Sequence, residues 1–134
     1  MLGTTDIITF VPTKDSARAR AFYEGVLGLT FVSDDGFALV FNANGIMIRV
    51  VKAQQFTPVQ YTILGWNVTE IEKVVPLLRE RGLHFERFGF FKQDDRGIWI
   101  APNGDKVAWF KDPDGNTLSI SEHRDWKANS GERR

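Results

Sequence analysis

Two stretches of this 134-residue chain carry the same helix punctuation. In the first, Asp15 is a good N-cap, Ala19, Phe22, Tyr23 and Val26 fall at i, i+3, i+4 and i+7, and Gly28 follows as a stop. In the second, Thr69-Glu70-Ile71-Glu72 reads as a capping box, in which Thr69 and Glu72 satisfy helix-end donors reciprocally. Ile71, Val74, Val75 and Leu78 then repeat the spacing, and Gly82 stands just past the end. Asp15 to Phe22 matches Glu70 to Leu77 with one constant offset. Two unrelated units sharing an order is the rival explanation, but it does not account for the joint repetition of cap, stripe and stop. Pro76 removes a backbone hydrogen bond from the second helix and predicts a kink there.

Strand signals flank both helices in the same order. Asp6 to Val11 is apolar and β-branched, with Pro12 expected to end it, and a helix of about three turns follows. Leu29 to Ser33, Phe37 to Asn42 and Ile46 to Val51 are three short strands, separated by the turn sequences Asp34-Asp35-Gly36 and Asn42-Ala43-Asn44-Gly45. The second half opens with Tyr61 to Val68. After its helix, Leu83 to Phe90, Gly97 to Ala101 and Lys106 to Lys111 read as strands, and Thr117 to Glu122 closes the unit. The pattern predicts an α+β protein of two βαβββ modules, residues 1–56 and 57–123, with a polar tail over 124–134 that is frayed or disordered.

Composition removes several function classes. Lys+Arg and Asp+Glu both total 17, so the chain lacks the basic footprint of a nucleic-acid or anionic-lipid binder. It has no cysteine, which excludes disulfides, thiolate metal sites and thiol nucleophiles. Met1 to Thr5 carries no leader-like pattern and no apolar run reaches membrane length, so a cytoplasmic location is expected.

Asp15-Ser16-Ala17-Arg18-Ala19-Arg20-Ala21-Phe22-Tyr23-Glu24-Gly25-Val26-Leu27-Gly28-Leu29 resembles the first signature of the vicinal-oxygen-chelate superfamily, which takes in glyoxalases, bleomycin-resistance proteins and extradiol dioxygenases. Val107-Ala108-Trp109-Phe110-Lys111-Asp112-Pro113-Asp114-Gly115-Asn116 resembles its second, an aromatic strand entering a "DPDGN" turn. The resemblance extends to about Glu122 and implies sheets that curl around a cavity, commonly in a homodimer. The turn itself follows from residue chemistry: Pro113 fixes φ, Asp114 and Asn116 bond their own backbone, and Gly115 permits positive φ. It is expected to shape a hairpin and to perform no chemistry.

Catalytic members of that superfamily hold a divalent metal through side chains of the first and last strand of each module. The resemblance places those positions on Ile8, Ile63, Ser119 and Arg49, or on Ile48 if the register slips by one. Isoleucine has no donor atom, a neutral serine is a poor ligand, and a guanidinium repels a cation. Neither His84 nor a Glu122/His123 pair comes with identifiable partners. No metal and no other cofactor is therefore expected.

What remains is an apolar cup, walled by Ile8, Phe10 and Ile63 and by the aromatic residues Phe90, Phe91, Trp99 and Trp109, with Trp99 at its mouth. Aromatics also dominate ordinary cores, which is the plainer account of each one. Arg49 is a lone charge in the apolar strand Ile46 to Val51. Facing inward it must be paired or must await an anion; at an edge it reaches solvent or a dimer contact. Nucleophilic catalysis has little support, since no serine sits in a nucleophile elbow or near an obvious histidine, and Glu24, Glu72 and Glu86 read as solvated. The leading expectation is a metal-independent, homodimeric binder of a small hydrophobic or anionic molecule, acting by sequestration or sensing. The alternatives are a lyase, isomerase or dioxygenase with a noncanonical metal site, and a structural dimer without a ligand.

Overall fold

The computed structural model describes residues 1–126; the rest of the expected tail, 127–134, lies outside the described residues. After a single 3-10 turn at Leu2–Thr4 come β1 (Ile8–Thr13), α1 (Ser16–Arg20, running on as a π-turn over Ala21–Val26), β2 (Thr30–Asp34), β3 (Ala38–Ala43) and β4 (Ile46–Lys52). The second unit contains β5 (Leu64–Asn67), α2 (Ile71–Glu80), β6 (Trp99–Ile100), β7 (Lys106–Lys111) and β8 (Thr117–Glu122). Each unit forms its own four-stranded mixed sheet, β1-β4-β3-β2 and β5-β8-β7-β6, with only the first-to-last pairing parallel. The architecture is thus α+β and twofold repeated, as the helix punctuation predicts. No helix among the described residues is long and apolar enough to cross a membrane.

Burial follows the helical stripes. Asp15 caps α1 by accepting from the Arg18 N–H at 3.1 Å, and Ala19 and Tyr23 are fully buried, with Phe22 and Val26 packed beside them. Ile71 and Val75 do the same from α2, flanked by Val74 and Leu78. These stripes meet Val11, Phe41, Ile48 and Val50 of the first sheet and Phe110, Leu118 and Ile120 of the second in one continuous core.

Several expectations fail for local reasons. Pro12 does not end β1 but lies inside it opposite Val51, which is tolerated because β1 is an edge strand. The first helix is not uniformly α. The Leu27 N–H reaches back five residues to the Phe22 carbonyl, and the consecutive rings of Phe22 and Tyr23 both serve the interface with the second unit, on Phe110 and Asp112. The Thr69/Glu72 capping box is absent. Glu70 takes a left-handed conformation at φ 54°, the Glu122 carboxylate accepts from the Ile71 N–H, and Glu72 instead pairs with Lys106. α2 does contain Pro76, as the helical stripe predicts. The strand beginning at Tyr61 starts only at Leu64, and Gly97 to Ala101 contracts to Trp99–Ile100.

The largest correction concerns Leu83 to Phe90, which touches the sheet only through a Phe85–Phe110 bridge. Gln93 stands in for a neighbouring strand: its Oε1 accepts from the Phe88 N–H, and its Nε2 donates to the Glu86 and Gly97 carbonyls. A side chain that satisfies three backbone groups leaves no ladder to build.

The two units are joined through the "DPDGN" turn. Asp112 is buried and accepts from the Tyr23 hydroxyl at 2.7 Å, from Asn116 Nδ2 at 2.8 Å and from the N–H groups of Asp114 and Asn116. Asp114 accepts from the Thr13 hydroxyl and the Lys14 N–H, and Asn116 Nδ2 also donates to the Pro12 carbonyl. From α2, Arg81 donates to the carbonyls of Gly25 and Val26, which the end of the first helix leaves unpaired. The turn therefore shapes its hairpin and also fastens the second unit to the first.

Burial, and after it the neighbouring Asp112 carboxylate, holds the Tyr23 hydroxyl well above its ordinary range, so the folded chain disfavours tyrosinate. The folded pKa is raised, so this contribution is complete below pH ~10 and is lost as pH climbs further. Tyr23→Phe is expected to cost about 1.5–3 kcal/mol in urea unfolding at neutral pH, the usual worth of a hydrogen bond to a charged group, and to blunt the alkaline loss of stability.

Candidate functional site

Each sheet turns one face to the core and the other outward, and Ile8, Phe10, Arg49, Trp99, Trp109 and Ser119 lie on the outward faces, whereas Phe90 and Phe91 lie outside the strands. In the first sheet the register aligns Phe10, Arg49 and Val40 across β1, β4 and β3. In the second, Gly65, Ser119 and Trp109 form one row, and Asn67, Ser121, Val107 and Trp99 the next. Ile63 precedes β5, bonds its N–H to the Thr117 carbonyl and packs partly against the core. Within one chain these faces stand open: Phe10 is 61% exposed, Phe90 78% and Ile8 47%. Hollows of about 400 and 260 Å³ lie elsewhere, around His84 and Glu86, and none of the predicted cup residues lines either.

The positions at which the resemblance implies metal ligands carry no suitable donors. Ile8 and Ile63 offer no lone pair, and Ser119 is buried beside Gly65, where an added Cβ would sit 3.0 Å from the Ser119 hydroxyl. Arg49 is cationic and engaged. Among the described residues no three His, Asp or Glu side chains converge as a cation site. This donor set does not fit a divalent ion.

Arg49 is paired. Its guanidinium donates to Asp35 at 2.7 Å across the β2–β3 turn, while Lys52 meets Asp34 at 2.9 Å. Arg49, and after it the N–H groups of Phe37 and Ala38, lower the Asp35 carboxyl to about 2, and Lys52 likewise lowers Asp34. The lone charge of the strand has a resident counter-ion.

The second sheet carries an aromatic platform. Phe91 stacks on Trp109 with centroids 5.1 Å apart and planes 3° from parallel, Trp99 lies 4.6 Å from Phe91 and 6.1 Å from Trp109, and Phe88 meets Trp109 edge-on at 5.4 Å. Phe90 completes the group at 4.6 Å from Phe91. Sequence reasoning named four of these rings and missed Phe88, which it had placed in an ordinary strand. These faces are half-buried or exposed rather than sealed in the core.

A second set of residues also escaped that reasoning, which found no serine near a histidine. The Ser121 hydroxyl is 2.8 Å from His123 Nε2, and His123 Nδ1 is 2.8 Å from Asp105 Oδ2. Asp105 is steadied by the Arg124 N–H and by Asn103 Nδ2. His123, and after it Arg124 and Asn103, lower the Asp105 carboxyl. The signal was present as Ser121-Glu122-His123, since residues two apart on a strand share a face.

A family model described as Glyoxalase/Bleomycin resistance protein/Dioxygenase superfamily matches residues 6–120, and the chain belongs to that superfamily. Among solved structures it is similar to a bleomycin resistance determinant encoded on transposon Tn5, with 18% identity, a TM-score of 0.69, and coverage of 89% of this chain and 98% of that one. It is similar to a lactoylglutathione lyase from Agrobacterium tumefaciens, with 17% identity, a TM-score of 0.66 and 91% and 96% coverage. Oxidase ChaP-H2 gives 23% identity, a TM-score of 0.66 and 89% and 93% coverage. No curated protein sequence matches the chain. At these identities the structures establish the fold, and the differing activities in their names leave the chemistry of this chain to its own residues.

The Asp35 carboxyl is depressed, so the Arg49 pair contributes to stability above the ordinary carboxylate range and loses that contribution as pH falls toward about 2. Arg49→Met is expected to return the Asp35 titration, followed by carboxyl carbon NMR, toward pH ~4.

Proposed function

We infer that the chain is a metal-independent small-molecule binder of the bleomycin-resistance kind, which seats a flat, apolar ligand on its aromatic platform. The observation that carries this reading is the parallel Phe91–Trp109 stack on an open sheet face, extended by Trp99, Phe88 and Phe90. Core rings such as Phe110 are covered; half-buried and exposed rings beside Gly65 and Ser121 offer a flat ligand a wall and a floor. The engagement of Arg49 with Asp35 favours an uncharged ligand over an anion, which would have to displace a carboxylate already in place. The absence of donor atoms at Ile8 and Ile63 supports a role that needs no cation.

A second copy of this chain is the natural cover for the open faces. Ile8, Phe10 and Met47 on the first sheet, and Phe90 beside the second, are exposed apolar side chains that a second copy would cover. Pairing the Phe10 face of one chain with the platform of another would bury these side chains and enclose the ligand between them.

Titration with a neutral polycyclic dye, followed through quenching of tryptophan fluorescence, tests the binding. Phe91→Ala and Trp109→Ala are each expected to weaken the dye about tenfold, on the scale of one aromatic stack, and excess chelator to leave the affinity unchanged. Dye binding that vanishes with chelator and returns with a divalent metal would sink the metal-independent reading. Sedimentation should give twice the 15.2 kDa chain mass, and Phe10→Glu should return it to the monomer.

A further inference from the structure

We propose that Ser121, His123 and Asp105 form a nucleophile relay that hydrolyses small aryl esters lying on the neighbouring aromatic platform. The aryl preference rests on the platform's being the ligand seat, whereas the relay stands on its own geometry.

That geometry comes from strand alternation and register. Ser121 and His123 are two residues apart at the end of β8, so both side chains leave the outward face, while Glu122 points the other way to cap α2. Lys106 is the cross-strand partner of Glu122, which brings Asp105, just before β7, opposite His123. The result is a chain of two 2.8 Å contacts, from the serine hydroxyl to Nε2 and from Nδ1 to a carboxylate. Because the carboxylate accepts at Nδ1, the imidazole holds its proton there and turns the Nε2 lone pair toward the serine, as a general base requires. Asp105 itself is held, with Oδ1 accepting from the Arg124 N–H at 3.1 Å and Oδ2 from Asn103 at 3.2 Å.

Substrate placement follows from the same sheet. Ser121, Val107 and Trp99 lie in one row across β8, β7 and β6, and Trp109 lies one step along β7. Neighbouring strands are about 4.8 Å apart, so an aromatic group over Trp99 and Trp109 can extend an ester past Val107 to the Ser121 hydroxyl. Asn67 is the register partner of Ser121 on the other side; its exposed amide makes no hydrogen bond to the described residues and is the donor available to a developing oxyanion.

The chemistry balances without any cofactor. The Ser121 hydroxyl oxygen bonds to the ester carbonyl carbon as its proton passes to His123 Nε2. The carbon–oxygen bond to the aryl oxygen then breaks, and the departing phenol takes that proton. Water attacks the acyl-serine, giving one proton to His123 and, through it, restoring the Ser121 hydroxyl as the carboxylic acid leaves. The net change is ester plus water to acid plus phenol. His123 and Ser121 are the catalytic residues; Asp105 acts through the imidazole and is a positioning residue.

The test combines labelling with kinetics. Diisopropyl fluorophosphate should leave one adduct, mapped by mass spectrometry to Ser121, and none on a His123→Asn chain. Hydrolysis of p-nitrophenyl acetate should fall at least about 100-fold in both Ser121→Ala and His123→Asn, the usual worth of positioned base catalysis, and stay unchanged in His84→Gln, which removes the only other imidazole. Asp105→Asn should lower kcat without raising KM and shift the nitrogen NMR signals of His123 toward the other tautomer. An unlabelled wild-type protein, or hydrolysis retained in Ser121→Ala or lost in His84→Gln, overturns the relay. Phe91→Ala separates the two ideas: a raised KM at constant kcat supports the platform as the aryl seat, and an unchanged KM with an intact relay overturns the platform alone.

Discussion

One buried hydrogen bond, from the Tyr23 hydroxyl to the Asp112 carboxylate, holds the two halves in their relation. A buried carboxylate is costly unless its oxygens are satisfied, and here four donors converge on it, one from the first unit and three from its own turn. The two signatures that mark the superfamily in the sequence are thus the two ends of a single contact. In this chain they fasten the second unit to the first.

That contact lies away from the outward faces of the two sheets. The outward faces contribute little to the core, which is made by α1, α2 and the inward residues of both sheets. The second sheet carries a stacked aromatic platform beside small hydroxyl-bearing residues. The first carries one charge, Arg49, neutralised from an adjacent turn.

Legibility in the sequence tracks the range of the forces involved. The helical stripes, the Asp15 cap, and the strands Lys106–Lys111 and Thr117–Glu122 are local patterns, and the structure reproduces them. The capping box is absent because the helix begins one residue later, after a left-handed Glu70, and the Glu72 carboxylate is taken by the distant Lys106. Leu83 to Phe90 has the composition of a strand, yet Gln93 satisfied its backbone from across a loop, a choice no periodicity encodes. The platform was visible as rings but not as a stack. Arg49 stood out as a lone charge, while its partner Asp35 sits in a turn that looks like any other. The Ser121–His123 spacing was in plain view, but its meaning depended on Asp105 arriving from the neighbouring strand.

Pro12 has a consequence for how copies of this chain meet. It lies in an edge strand, has no N–H to offer, and directs its carbonyl to Asn116 of the second unit, away from β4. At that point the rim of the first sheet is closed to an incoming strand, so continuous β-ladders between molecules, the route to fibrous aggregates, are blocked there.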